Sequence, residues 1–437
     1  MELKKAYAEQ MKGLLGEAGF FAYLSAMEKP YERAMRLNRN CPEAARRLAM
    51  AFAEMPVPWA KDAFYVKEDA RPGLSPLHEA GLYYLQEPSA MAPVCALDPQ
   101  PGERILDLCA APGGKSTQIS ALMEDEGLLV ANEIVPSRAQ ILSRNIERMG
   151  IRSAVVTNAR PEQLAERFEG FFDRILVDAP CSGEGMFRRQ PEAMDEWDED
   201  APARCAARQK EILRQAAKML RPGGRLVYST CTFNRTENDE VIAAFCGEFP
   251  AFCTEPFTLP GLPAAPAGTL HIFPHETRGE GHFVACLRRA GEREASENER
   301  QGRGSAPAVL PDVFAAGCAP RGARQEKELV CLWPEGVGPE DFAGLRVLRA
   351  GLHLAEFKGK RAEPDHALAM AMRPAEAARS AELTEAQAAA YQAGEALSLG
   401  DLPEGYTLLC LKGKSLGWGK QAGGFMKNHY PKGLRRR

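Results

Sequence analysis

Between residues 104 and 288, short apolar runs alternate with longer stretches whose apolar side chains recur every three or four positions. Short apolar runs read as buried strands, and the three-to-four spacing reads as one buried face of a helix. The runs at 104–109, 128–133, 154–158, 173–178 and 225–231 predict strands; 115–124, 137–149, 161–168, 204–220 and 236–247 predict helices. Strands alternating with helices build βαβ units and a parallel sheet covered on both faces. The expected fold class is therefore α/β and Rossmann-like, with 270–273 and 282–287 adding an antiparallel hairpin around a glycine-containing loop.

The flanks follow other patterns. Residues 1 to about 55 read as helices: Leu14, Leu15, Phe20, Phe21 and Leu24 form one buried face, and a basic helix follows around Arg33 to Phe52, broken by Pro56 and Pro58. Residues 288–306 are charged and almost free of bulky apolar side chains, which predicts a linker that cannot offset its ordering entropy. Beyond it lies a smaller mixed region. Thr384 with Gln387 resembles a capping box ahead of a helix over 388–397, and 406–411 predicts a strand. These shifts divide the chain into 1–80 (largely helical), 81–288 (the α/β domain), 289–307 (linker), 308–375 and 376–437.

At 437 residues with 45% apolar side chains, the chain is long enough for several sizeable cores. The start, Met1-Glu2-Leu3-Lys4-Lys5, has no apolar signal core, and no apolar run is long enough for a membrane span. Twelve cysteines without a CxxC pair predict neither a zinc site nor a disulfide framework, so a metal-free cytoplasmic protein with reduced thiols is expected. The net charge of −4 hides basic ends: residues 405–437 hold eight Lys or Arg and no acid. There, Trp418, Phe425 and Tyr430 are interleaved with lysines and glycines, a mix suited to stacking on bases and meeting phosphates.

One loop predicts a ligand. Cys109-Ala110-Ala111-Pro112-Gly113-Gly114-Lys115 follows the first strand and opens a helix. A phosphate-binding loop would need glycine where Cys109 stands, and the dinucleotide fingerprint Gly-x-Gly-x-x-Gly is absent. A nucleoside cofactor without phosphates, such as S-adenosylmethionine, fits: Gly113 and Gly114 permit close backbone approach, and Glu133 ends the next strand where a carboxylate would hold the ribose hydroxyls. The competing reading is an ordinary turn beside a surface glutamate. Asn158 ends the third strand, as an adenine contact or a turn-forming residue, and Asp178 ends the fourth at the same cleft.

Two cysteines stand apart from the rest. Cys181 lies in Asp178-Ala179-Pro180-Cys181-Ser182-Gly183 and Cys231 in Ser229-Thr230-Cys231-Thr232, each just past a strand. Cys95, Cys205, Cys246, Cys253, Cys286, Cys318, Cys331 and Cys410 read as small hydrophobes, and Cys41 as an ordinary loop residue. A thiolate beside a methyl donor suits methylation of pyrimidine carbon 5, which becomes nucleophilic only after a thiolate adds to carbon 6. The residues alone do not rank the two thiols.

These motifs, with Glu184-Gly185, Phe233 and Glu237-Asn238, resemble the RsmB/RsmF/NSUN family of RNA cytosine-5 methyltransferases over about residues 80–288. The ending, Leu416-Gly417-Trp418-Gly419-Lys420 through Lys427-Asn428-His429-Tyr430-Pro431-Lys432-Gly433, resembles the family's PUA-like tail. The resemblance implies a seven-stranded methyltransferase sheet, Cys231 as nucleophile, Cys181 in product release and Asp178 at the reacting base. It implies S-adenosylmethionine held by 109–115, Glu133, Asn158 and Asp178, the Asn158 position commonly being Asp in the family. It also implies a monomer acting on ribosomal RNA of the small subunit or its assembly intermediate. A non-catalytic RNA-binding assembly factor and an enzyme acting on another nucleic acid are the alternatives.

Overall fold

The computed structural model describes residues 3–292, 308–400 and 402–435. The expected linker at 289–307 therefore falls, from residue 293 on, outside the described residues.

The chain enters through helix Lys5–Met27 and then builds a small antiparallel sheet from β1 (Ala34–Leu37), β2 (Ala53–Pro56), β3 (Ala63–Val66) and β4 (Tyr83–Gln86), in the order β2-β3-β1-β4. Two expectations change here. Gly16 sits inside the helix with φ +67° and so breaks its phase. Tyr7 and Met11 are buried before the break and Phe20 and Tyr23 after it, while Phe21 is 65% exposed. The basic stretch is not one helix: Ala34–Leu37 is a strand buried along its whole length between β3 and β4, and the helical part is Glu43–Ala49 with a 3-10 turn, Met50–Phe52, after it.

The central sheet contains β5 (Arg104–Asp107), β6 (Leu128–Asn132), β7 (Ala154–Thr157), β8 (Phe172–Asp178), β9 (Leu220–Thr230), β10 (Phe252–Thr254), β11 (Thr269–Ile272) and β12 (His282–Arg289). Its order is β10-β12-β9-β8-β5-β6-β7, with β11 also on β12. The five strands from β9 to β7 are parallel, and β10, β11 and β12 are antiparallel. Helices Gly114–Leu122, Pro136–Arg148, Pro161–Arg167, Ala201–Met219 and Asp239–Glu248 cover it, and two buried apolar clusters lie on its faces. The chain winds outward from β5 through β6 to β7, then crosses back to β8 and β9. That reversal opens a crevice at the carboxyl ends of β5 and β8, where open α/β sheets hold their ligands.

The remaining strands are β13 (Arg324–Glu326), β14 (Leu329–Leu332), β15 (Val347–Ala350), β16 (Leu352–Lys358) and β17 (Arg361–Pro364), then β18 (Ser380–Glu382), β19 (Gly405–Leu411), β20 (Lys414–Ala422) and β21 (Phe425–Asn428). They form two four-stranded sheets, β13-β14-β16-β17 and β18-β19-β20-β21. The exception is β15, which pairs antiparallel with β7 and completes the central sheet as its ninth strand, so the sheet has nine strands rather than seven. Thr384 and Gln387 cap helix Glu385–Ala393 reciprocally, at 3.2 and 2.9 Å.

The two ends of the chain share a core, with Met35, Leu37 and Tyr83 packing among Tyr391, Leu409 and Leu411. The basic ending is thus part of a folded module rather than a solvated tail. Trp418 and Tyr430 are buried, and Lys414 is buried with its ammonium on the Met370 carbonyl at 2.6 Å. Phe425, at 76% exposure, faces out. Cys253, on an outer strand, and Cys318, in a turn, are exposed rather than core residues. Among the described residues no helix is long and apolar enough to cross a membrane.

Candidate active site

Asp107 ends β5, and the chain from Cys109 to Lys115 crosses the sheet edge to start helix Gly114–Leu122. Gly113 holds φ +112°, a conformation glycine adopts without strain, and a Cβ there would lie 3.1 Å from Leu142 Cδ1. A Cβ on Gly114 would lie 3.2 Å from the Tyr84 ring. The two glycines thus let the loop press against helix Pro136–Arg148 and against β4 as well as leaving its outer side open. Arg138 donates to the Ala111 carbonyl at 2.9 Å and Asn145 to that of Pro112 at 2.9 Å. Ala110 and Ala111 are buried, and burial with the neighbouring Asp107 pushes the Cys109 thiol well up, so it stays protonated.

Glu133 lies just past β6, buried, with one carboxylate oxygen accepting from the Val135 N–H at 2.9 Å and the other 3.4 Å from Arg138. Ile134 and Val135 beside it are exposed apolar side chains. Asn158 spends its amide donors on the carbonyls of Glu133 and Ile134, at 2.7 and 2.9 Å, and accepts from Arg346 at 3.2 Å. It clamps the turn that carries Glu133, and it is itself set by a residue just ahead of β15.

Sequence reasoning passed over Asp107, a carboxylate at the tip of an otherwise apolar run. One oxygen accepts from Ser116 at 2.6 Å; the other is buried without a partner. Burial raises its pKa to about 7. The native carboxyl thus keeps a proton that the unfolded chain gives up near 3.8, and stability falls as pH rises through that window. At about 1.4 kcal/mol per pH unit, the contribution is roughly 4 kcal/mol. In Asp107→Asn, the Tm relative to wild type is expected to climb from pH 4 to 7; a constant difference would refute this reading of the burial.

The thiols are positioned by β8 and β9. These strands run parallel with Asp178 opposite Ser229, so the chains leave the sheet side by side. Cys181 and Cys231 end with their Sγ atoms 3.3 Å apart. Lys115 reaches over from the neighbouring helix to Asp178 at 2.7 Å, joining the loop after β5 to the loop after β8. Ser229 Oγ donates to Asp178 at 2.8 Å, and His282 Nε2 lies 3.4 Å away. Burial works against the Asp178 carboxylate, but Lys115 and His282 outweigh it and hold it well below the usual range. Lys115 is held in its charged form, against burial, by Asp178 and by the nearby Cys231. The hydrogen bond to Cys231, with burial, pushes the Cys181 thiol far up.

Two buried carboxylates strap these loops together. Glu237 accepts from the Ser182 N–H at 3.0 Å, from Gln209 at 2.8 Å and from Asn234 at 2.8 Å. Glu184 accepts from the N–H groups of Phe233 and Asn234, and from Gln10 of the first helix at 2.8 Å. Gly185 N–H donates to the Cys231 carbonyl at 2.8 Å. The roles of Gln10, Gln209, Ser229 and His282 carry no local signal, because they depend on which segments become neighbours.

The crevice thus gathers Cys109–Lys115, Glu133, Asp178, Cys181 and Cys231, with Asn158 behind Glu133. Four family models match in succession: the N-terminal domain of 16S rRNA methyltransferase RsmF over residues 3–88, 16S rRNA methyltransferase RsmB/F over 94–288, the RsmF rRNA methyltransferase first C-terminal domain over 319–372, and the methyltransferase RsmF PUA domain over 378–436. Proteins named ribosomal RNA small subunit methyltransferase F are similar along nearly their whole length. That of Erwinia tasmaniensis is 33% identical over 98% of this chain and 96% of its own, and that of Shewanella loihica 35% identical over 94% and 91%. A methyltransferase homolog protein from Pyrococcus horikoshii, 31% identical, superposes with TM-score 0.57 over 65% of this chain and 95% of that one. NSun6 from the same organism, 20% identical, shares the fold at TM-score 0.58, covering 66% of this chain and 99% of that one. The fold is that of a Rossmann-like methyltransferase joined to a PUA domain, and the chain belongs to the RsmB/F methyltransferase family.

Proposed function

We propose that this protein methylates carbon 5 of cytosine in small-subunit ribosomal RNA, using S-adenosylmethionine and a covalent bond between Cys231 and the base. The observation that carries this reading is the pair of thiols 3.3 Å apart beside the Lys115–Asp178 ion pair. Amino-group methylation has no use for a thiol, whereas activation of carbon 5 requires one.

The residues fit the cofactor: a glycine loop, a buried carboxylate at Glu133, the apolar Ile134 where an adenine face would rest, and the unpartnered oxygen of Asp107 suited to an ammonium group. When bound, it supplies an electrophilic methyl group. Cys231 Sγ adds to carbon 6 of the base, with the charged Lys115 nearby. Asp178, fixed by Lys115, Ser229 and His282, presents a carboxylate to the polar edge of the base. Cys181 serves the elimination that releases the product, in which a base takes the carbon 5 proton, the carbon 5–carbon 6 double bond re-forms and Cys231 leaves as its thiolate. Because both loops hang on Glu237 and Glu184, the two sulfurs keep their spacing while a base enters.

Losing a ribose contact leaves buried hydroxyls unpaired, at about 1–3 kcal/mol. Glu133→Ala is expected to weaken cofactor binding roughly ten- to a hundredfold by calorimetry, and unchanged affinity would remove Glu133 from the site. The function itself is tested by mapping 5-methylcytosine in ribosomal RNA of a deletion strain: a small-subunit position is expected to lose its mark and to regain it on complementation. A full set of marks in the deletion strain would overturn the proposal.

A further inference from the structure

A groove of about 400 Å³ opens on the small N-terminal sheet, and neither the two thiols nor residues 109–115 line it. Its walls carry Tyr31, Arg33, Arg71, Leu74 and Arg189. Tyr31 is 44% and Leu74 76% exposed, an unusual placement for two large apolar side chains in one hollow.

The charge in the groove is positive. Arg33 and Arg71 are held in place by main-chain carbonyls of residues 67–70, which fix their guanidinium groups without neutralising them. The acids there are already engaged. Glu32 pairs with Arg278, and Glu87 accepts from the N–H groups of Ser89, Ala90 and Glu280.

The groove is also tied rigidly to the reacting thiol. Gly185 N–H is bonded to the Cys231 carbonyl, and three residues later Arg188 grips Glu280 with two hydrogen bonds and the Ala26 carbonyl with a third. That short segment delivers the exposed Arg189 to the groove. On the other side, Gln86 lines the groove while lying 3.4 Å from where a Cβ of Gly114 would be. Tyr84 of β4 feels the charges of both Lys115 and Arg189.

We propose that this groove holds the single-stranded RNA adjoining the target cytosine, with Arg189 meeting a backbone phosphate and Tyr31 and Leu74 offering bases an apolar surface. The proposal rests on the RNA-methyltransferase reading above and adds where the flanking strand runs. A strand entering here would reach Cys231 along residues 185–189, which explains why that segment is pinned at both ends.

The test uses the full chain, a short fluorescein-labelled single-stranded RNA with one central cytosine, and the variants Arg189→Gln and Tyr31→Ala. One phosphate contact contributes about 0.7 to the slope of log affinity against log salt, so Arg189→Gln is expected to flatten the slope by about that much. Loss of one stacked base is expected to weaken binding of Tyr31→Ala roughly five- to a hundredfold. Both side chains are exposed, so Tm and cofactor affinity should be unchanged, showing that the fold is intact. Variants that bind and methylate the strand like the wild type overturn the groove while leaving the function standing. Variants impaired only on the protein-containing subunit overturn it in favour of a protein contact. A wild type that neither binds nor methylates RNA removes the proposed function and the groove together.

Discussion

Cys231→Ala is expected to abolish methyl transfer without trapping RNA, whereas Cys181→Ala is expected to accumulate a protein–RNA adduct that survives denaturing gels. The asymmetry follows from the different roles proposed for the two sulfurs. Cys231 is the proposed nucleophile, and Cys181, its partner at 3.3 Å, is the sulfur proposed to serve release. Without Cys231 no bond to carbon 6 forms. Without Cys181 the bond forms, the methyl group is accepted, and elimination stalls. Neither cysteine is a fully buried core residue, so neither substitution should threaten the fold. A gel in which Cys231→Ala carries the adduct and Cys181→Ala does not would exchange the roles.

The largest expected loss of stability lies a few residues further on. Arg188 and Glu280 form a buried pair, with hydrogen bonds at 2.7 and 2.9 Å. Arg188→Leu strands a carboxylate in the interior, a change that costs about 3–5 kcal/mol. Burial already raises the Glu280 carboxyl above its usual range, Arg188 opposing it, and the variant removes that opposition. A native glutamate with a raised pKa holds a proton that the unfolded chain releases, so stability falls as pH rises above the ordinary glutamate range. Thermal unfolding should therefore show the variant's deficit growing with pH and smallest in acid. Adding Glu280→Met should restore much of the loss, because paired removal leaves no orphaned charge. A deficit that is small, or equal at every pH, would mean that the pair is solvated and contributes little.

The parallel core was legible because each of its strands is an apolar run buried on both faces, and the site motifs were legible because each sits just past such a run. What escaped prediction depends on long-range pairing. Ala34–Leu37 is a strand only because β3 and β4 flank it, and nothing in Ala-Met-Arg-Leu announces that. The contact of Lys115 with Asp178 depends on β5 lying beside β8, an order set by the crossover rather than by either segment. The basic ending shows the limit of composition. It contains the aromatic and cationic residues of an RNA-binding face, but Trp418 and Tyr430 point into the core, and only the structure reveals direction.

The origin of β15 has a consequence for the protein's synthesis. Continuous winding of the central sheet ends with β12 at Arg289, yet its outermost strand is Val347–Ala350. During translation at ~5–20 residues per second, the free edge of β7 would wait several seconds for the segment that covers it. An uncovered edge is a template for wrong partners. Because the residue before that strand also holds Asn158, and Asn158 holds the turn bearing Glu133, the nascent chain completes the support of that turn only when the segment around Arg346 arrives. Half-made chains that end before it would carry both thiols and Asn158 and yet lack the arginine that sets Asn158.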